Sequence, residues 1–108
     1  MEKNGWYINM YRQGDVWLKK IEKLPNQLRQ KNKILAYGEV TGHHHRFEED
    51  DKHVVVLESD NGQQYVQVLQ DTTLIHEEHG KQTIKPGLFA VVMQEEKTLS
   101  GEIQRVMD

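Results

Sequence analysis

The sequence predicts an all-β protein: a small single-domain barrel or sandwich spanning residues 1–108, with about eight short, mostly antiparallel strands. Three observations carry this expectation. Apolar residues come in short runs rich in β-branched and aromatic side chains. Turn signals separate those runs at short, even spacing. No segment shows convincing helical amphipathicity. That combination is the pattern of small sandwiches and barrels.

In chain order, residues 6–11 are aromatic and extended, and Arg12-Gln13-Gly14-Asp15 reads as a turn. The segment from Val16 to Lys23 alternates, with Val16 and Leu18 on one face and Trp17 and Ile21 on the other. Leu24-Pro25-Asn26 breaks it. Gln27 to Asn32 is polar all round and reads as one helical turn. Ile34 to Val40 is a strand with Ile34, Ala36 and Val40 on one face and Leu35 and Tyr37 on the other, and Gly42 permits a bend or bulge. Val54 to Leu57 is an apolar strand. Ser59-Asp60-Asn61-Gly62 follows, where Asn-Gly predicts a type I′ hairpin turn. The return strand is Gln64 to Gln70. Thr72 to His76 extends, His79-Gly80 turns, Lys81 to Lys85 extends and Pro86-Gly87 turns. Leu88 to Met93 is the last strong strand. Ile103, Val106 and Met107 are expected to close the C-terminal end onto the sheet.

Hydrophobic content is 36% and charged content 29%, so a sheet face is expected to stay wet. With 108 residues, a chain of this kind can bury a core without staples. The absence of cysteine excludes disulfides, thiolate metal sites and a cysteine nucleophile. The formal charge of −3 argues against a broad basic surface for long duplex DNA, whose binding depends on many phosphate contacts. It leaves room for a small anionic ligand held by a few local cations. No run approaches the ~20 apolar residues of a membrane helix, and residues 1–9 lack the apolar core of a signal peptide. These features predict a cytoplasmic protein away from membranes.

The chemistry concentrates in six histidines. His43, His44 and His45 precede Arg46. In an extended chain, residues two apart share a face, so His43 and His45 point together while His44 and Arg46 point away. His76-Glu77-Glu78-His79-Gly80 is not the helical His-Glu-X-X-His of zinc proteases, because its histidines are three apart and Gly80 ends any helix. On a strand entering a turn, His76 and Glu78 share a face and His79 sits at the bend. If the two clusters meet, four histidines and a carboxylate converge on one cleft. Arg12 and Arg46 carry planar forks suited to a phosphate or carboxylate. The bland reading of the same residues is a solvated strand end, a charged hairpin tip and two surface cations. Glu48-Glu49-Asp50-Asp51 lacks calcium-loop spacing and reads as a solvated loop, and His53 as a flanking residue. No phosphate loop, nucleophile elbow or dinucleotide fingerprint is present.

Arg12-Gln13-Gly14-Asp15-Val16, Gly38-Glu39-Val40-Thr41-Gly42-His43-His44-His45-Arg46 and His76-Glu77-Glu78-His79-Gly80 together resemble a small, sparsely characterised family of bacterial and phage proteins, from about Tyr11 to Met93. The resemblance implies that position 44 varies while His43, His45 and Arg46 keep their pattern. Its phage setting implies small nucleases and counter-defence enzymes. A second resemblance, to cupins, rests on Gly38, His43, His45, Glu48 or Glu49, and Pro86-Gly87 in that order. It implies a small β-barrel and a metal. The chain departs from cupins in spacing, and His76 or His79 stands out of order as a further ligand.

Three functions follow, ranked. The first is a metal-independent phosphodiesterase or nuclease that acts on a short or cyclic RNA-type oligonucleotide. Its candidate catalytic residues are His43, His45, His76, His79 and Glu78, with Arg12 and Arg46 binding substrate. Imidazole suits acid–base work because its unperturbed pKa lies near neutrality. The second is a cupin-like enzyme whose His43, His45, His76 and His79, with a glutamate, hold a divalent transition metal. The third is a non-enzymatic binding or inhibitor module that uses a sheet edge. Exposed edges also predict a homodimer.

Overall fold

The structure is a computed structural model and describes residues 10–37, 43–93, 95–97 and 103–105. Among the described residues twelve strands are formed: β1 (Met10–Gln13), β2 (Val16–Ile21), β3 (Arg29–Gln30), β4 (Ile34–Tyr37), β5 (His44–Arg46), β6 (Val54–Glu58), β7 (Gln64–Val68), β8 (Thr72–His76), β9 (Gly80–Ile84), β10 (Gly87–Met93), β11 (Glu95–Lys97) and β12 (Ile103–Arg105). A six-stranded sheet has the order β1-β2-β10-β7-β6-β3, and a four-stranded sheet the order β4-β5-β8-β9. Every pairing is antiparallel. The barrel does not close, and the two sheets form a sandwich.

Alternation places the core between the layers. Val16, Leu18, Val54, Val56, Val66, Val68, Phe89 and Val91 face inward from the larger sheet; Leu35, Ala36, Leu74 and Ile84 face inward from the smaller. Tyr11 meets Phe89 edge to face, with ring centroids 5.6 Å apart, and its hydroxyl accepts the Lys85 N–H. That single side chain fixes the turn into β10 against the first strand.

The turns differ from expectation in instructive ways. β1 runs through Gln13, so the first turn is only Gly14-Asp15, with Gln13 opposite Val16. Gly14 has φ 59°, as the first position of a type II′ turn requires. Asn61-Gly62 does not make a two-residue type I′ turn. The Gly62 N–H bonds Ser59 O, Ser59 N–H bonds Gln63 O, and only Gly62 has positive φ. This is a three-residue loop closed by a glycine bulge. The Asn61 side chain accepts from the Ser59 hydroxyl and the Gln63 N–H, which holds it in place.

Gln27 to Asn32 is not helical. Gln27 has φ 64°, which no right-handed helix accommodates, and Arg29–Gln30 pairs with Leu57 and Glu58 at the sheet edge. β4 carries a register shift between Ile34 and Ala36, so Leu35 and Ala36 are both buried instead of facing opposite ways. Val40 and the Gly42 bend lie outside the described residues. Ile103 belongs to β12, which pairs with β11 rather than with either sheet; Val106 and Met107 lie outside the described residues. Among the described residues, no helix is long and apolar enough to cross a membrane.

Candidate functional site

Two strands of the smaller sheet bring the histidines together. Arg46 pairs with Ile75, which sets β5 beside β8. β8 and β9 are joined by Glu77-Glu78-His79, with His76 opposite Gly80. Gly80 has φ 80° and closes that loop. The result is a cluster of four imidazoles. The His45 and His76 rings lie 4.2 Å apart, His76 and His79 4.6 Å, His43 and His76 5.9 Å, and His45 and His79 6.0 Å.

The cluster has a buried floor and an open mouth. His45 is fully buried, and His76 nearly so. His79 is exposed, and the side chain of His43 is 32% exposed. His43 Nδ1 lies 3.5 Å from the Glu78 carboxylate, which reaches solvent.

The β1–β2 hairpin of the other sheet supplies the floor. The buried Gln13 amide donates from Nε2 to Leu74 O (3.0 Å) and Gly80 O (2.8 Å). Those two bonds fix which way the amide faces, so Oε1 accepts from His45 Nδ1 at 2.8 Å. His45 therefore carries a proton on Nδ1. Its Nε2 lies 3.4 Å from Oδ1 of Asp15, which is also buried. A carboxylate only accepts, so this contact is favourable only when a second proton sits between the two groups. His76 is set differently. Its Nδ1 accepts the N–H groups of Glu78 and His79, at 3.0 and 3.2 Å. In the neutral ring the proton is then on Nε2, and protonating Nδ1 breaks the loop it caps.

The expected alternation holds on β5. His45 faces the core, and His44 and Arg46 face the other way. Arg46 consequently lies outside the cluster. Its Nη1 donates to Glu77 Oε2 (2.9 Å) and to His44 O (3.1 Å), and the His44 N–H reaches Glu77 Oε1. The Glu77 carboxyl is held below its usual range, first by its own backbone N–H and then by His44 N–H and Arg46. Arg12 also points outward. Its guanidinium lies 4.9 Å from the Trp17 ring centre, and its Nε donates to Gly14 O. The two guanidinium groups proposed for substrate binding thus do not join the four imidazoles, whereas Glu78 does.

Among the described residues, no group of three His, Asp or Glu side chains is arranged to hold a metal ion. The ring nitrogens explain much of this: His45 is directed at Gln13 and Asp15, and His76 turns Nδ1 to its own loop. Glu48 and Glu49 of the cupin-like order line an outer recess with His44 and Arg46, a recess that none of the four clustered imidazoles lines. The acidic loop is less solvated than expected at its end. Asp51 accepts the Thr72 hydroxyl and the His53 N–H, and Lys33 donates to its backbone carbonyl. The Thr72 bond, above all, lowers the Asp51 carboxyl pKa.

Sequence reasoning missed Gln13 and Asp15. The signal was present in the period of two: with Tyr11 inward, Gln13 is inward too, provided the strand is carried past Arg12.

The family model of a domain of unknown function, DUF8820, matches residues 12–94. The chain belongs to that family. The matched segment contains the hairpin carrying Gln13 and Asp15, both histidine clusters and all ten strands of the sandwich except the first residues of β1. No curated protein and no solved structure matches the chain.

Proposed function

We propose that this DUF8820 protein is a histidine-dependent phosphodiesterase acting by general acid–base catalysis on a short or cyclic RNA-type oligonucleotide. The observation that carries the reading is the convergence of four imidazoles, two of them reaching solvent above a buried carboxylate and amide. His43 and His79 are the candidate catalytic pair. One takes the proton of the 2′-hydroxyl as it attacks phosphorus. The other protonates the departing 5′-oxygen, leaving a cyclic phosphate for water to open. A protonated imidazole also meets the charge that develops on phosphorus. Glu78 orients His43. His45 and His76 are positioning residues, too buried to touch substrate, with Gln13 and Asp15 holding His45.

The test is cleavage of short single-stranded RNA and cyclic oligonucleotides in excess chelator. Wild type is expected to turn over, with His43→Ala and His79→Ala each slower by ~10²–10⁴-fold, the usual worth of an acid–base group. Inactivity of the pure, folded protein on all these substrates, or unchanged rates in both variants, overturns the reading. Elemental analysis separates the cupin-like alternative: stoichiometric metal that restores activity to the chelated protein moves the assignment there. A role against host defence and a homodimer paired through an edge such as β1 or β9 belong to the same proposal; light scattering of the purified protein decides the latter.

A further inference from the structure

We infer that the outer face of the four-stranded sheet, around Tyr37, His44, Arg46 and Lys81, binds single-stranded RNA, with one base seated on Tyr37. The inference rests on the reaction proposed above and deepens it, since it says how the substrate is held.

The strand register builds this face. Tyr37 lies opposite His44, and Ile34, Arg46, Ile75 and Lys81 form one row across all four strands. Tyr37 is 63% exposed, the most exposed large apolar side chain among the described residues. Its ring is stacked on His44, with centroids 5.6 Å apart and planes 30° apart. One face of a flat aromatic pair is therefore braced from beneath while the tyrosine stays open to water. Exposed rings on a sheet are how several single-strand binders seat bases, because every base offers a π-face.

Arg46 adjoins the rings through its bond to His44 O, and Lys81 lies farther along the same face. A recess of about 360 Å³ is lined by Arg46, Glu48, Thr73, Ile75 and Lys81. Arg46 spends only Nη1 on Glu77 and His44, so its Nε and Nη2 edge makes no hydrogen bond with the described residues. Lys81 makes neither a hydrogen bond nor an ion pair with them. Glu48 in the same recess is unsuited to a bare phosphate but accepts from the amino group of a base. The lining thus fits a nucleotide, with both base and phosphate, better than a free anion.

The face is continuous with the imidazoles. His43 and His44 are consecutive, one turned to the cluster and the other to Tyr37. Glu77 and Glu78 are consecutive too: Glu77 holds His44 and Arg46, and Glu78 pairs with His43. The rim between the two faces is one residue step, 3.80 Å between Cα atoms. A strand crossing that rim places a base on Tyr37 and the neighbouring phosphate at the mouth.

The experiment is fluorescence anisotropy with 5′-labelled single-stranded oligouridylate of about eight nucleotides, within the usual site size of such proteins. The full-length His43→Ala/His79→Ala protein is used so that binding is read without cleavage. Tyr37→Ala is expected to weaken binding about tenfold, and Tyr37→Phe to retain it. Lys81→Ala should lower the slope of log affinity against log salt by about 0.7, the value for one phosphate of a single strand. Circular dichroism confirms that each variant is folded. Absent binding, or affinity unchanged in Tyr37→Ala, overturns the inference. Tyr37-dependent binding without cleavage by wild type upholds it and instead removes the catalytic proposal. Cleavage by wild type whose KM is indifferent to Tyr37→Ala does the reverse.

Discussion

Gln13 is the residue on which the site's order depends most. Its side chain serves two carbonyls and one imidazole at once, deep between the sheets. Gln13→Leu keeps the volume and removes all three partners, leaving buried polar groups unsatisfied. Each such group costs ~1–3 kcal/mol, so a loss of roughly 3 kcal/mol is expected, partly relieved by water at the half-open Gly80 end. Thermal unfolding should read this as a fall on the order of 10 °C. Asp51 gives a pH-dependent case. The Thr72 hydroxyl and the His53 N–H lower its folded pKa. Its contribution is therefore fully present above the unfolded carboxylate value, about 3.9, and is lost as pH falls through the lower folded one. Asp51→Asn should weaken stability at pH 7 and flatten the acid limb of an unfolding curve recorded from pH 5 to pH 2. Histidine positions were legible at this scale, because alternation alone separates His43 and His45 from His44 and Arg46. Gln13 was not, because a glutamine beside Gly-Asp reads as turn chemistry until the strand is known to run through it.

The β8–β9 hairpin is the element that exposes His79 and Glu78. Its three-residue loop depends on Gly80 at φ 80°, where a Cβ meets no neighbouring atom but faces left-handed backbone strain. Gly80→Ala should therefore cost ~1–2 kcal/mol without a clash, and Gly80→Asn less, since asparagine tolerates that conformation. Because the His76 imidazole caps the loop, the same strain should reach the cluster; if the proposed reaction and RNA face hold, a lower rate with an unchanged RNA affinity distinguishes it from damage to the outer face. Strands with a plain apolar run or alternation, β6, β7, β8 and β10, were readable directly. β3 was not: Arg29–Gln30 is a polar two-residue edge with no hydrophobic period, held by ladder bonds to β6 and by Arg29 to Asp60 at 2.8 Å. The β4 bulge was hidden for another reason. Ile34, Leu35 and Ala36 are all apolar, so nothing in their order says which two turn inward.

At the scale of the molecule, the all-β class and the layered core follow from pattern, whereas the meeting of β5 with β8 is a matter of long-range pairing that local periodicity does not encode. Core depth follows from the same layering. Phe89 is essentially fully buried from the larger sheet and touches Tyr11, so Phe89→Ala should cost ~3–5 kcal/mol, enough to threaten a domain of this size; urea unfolding measures it. Val92→Ala, on the exposed side of the same strand, should stay within ~0.5 kcal/mol. One last consequence belongs to the Gln13 crosslink. A hairpin from the first sheet grips His45, Leu74 and Gly80, all of which sit in the second. The buried imidazoles can be ordered only while the layers adhere. Their ring protons in NMR should then broaden and vanish at the same temperature at which the slowest amide protons begin to exchange, so that the two side chains, His45 and His76, act as a spectroscopic gauge of cohesion for the whole sandwich.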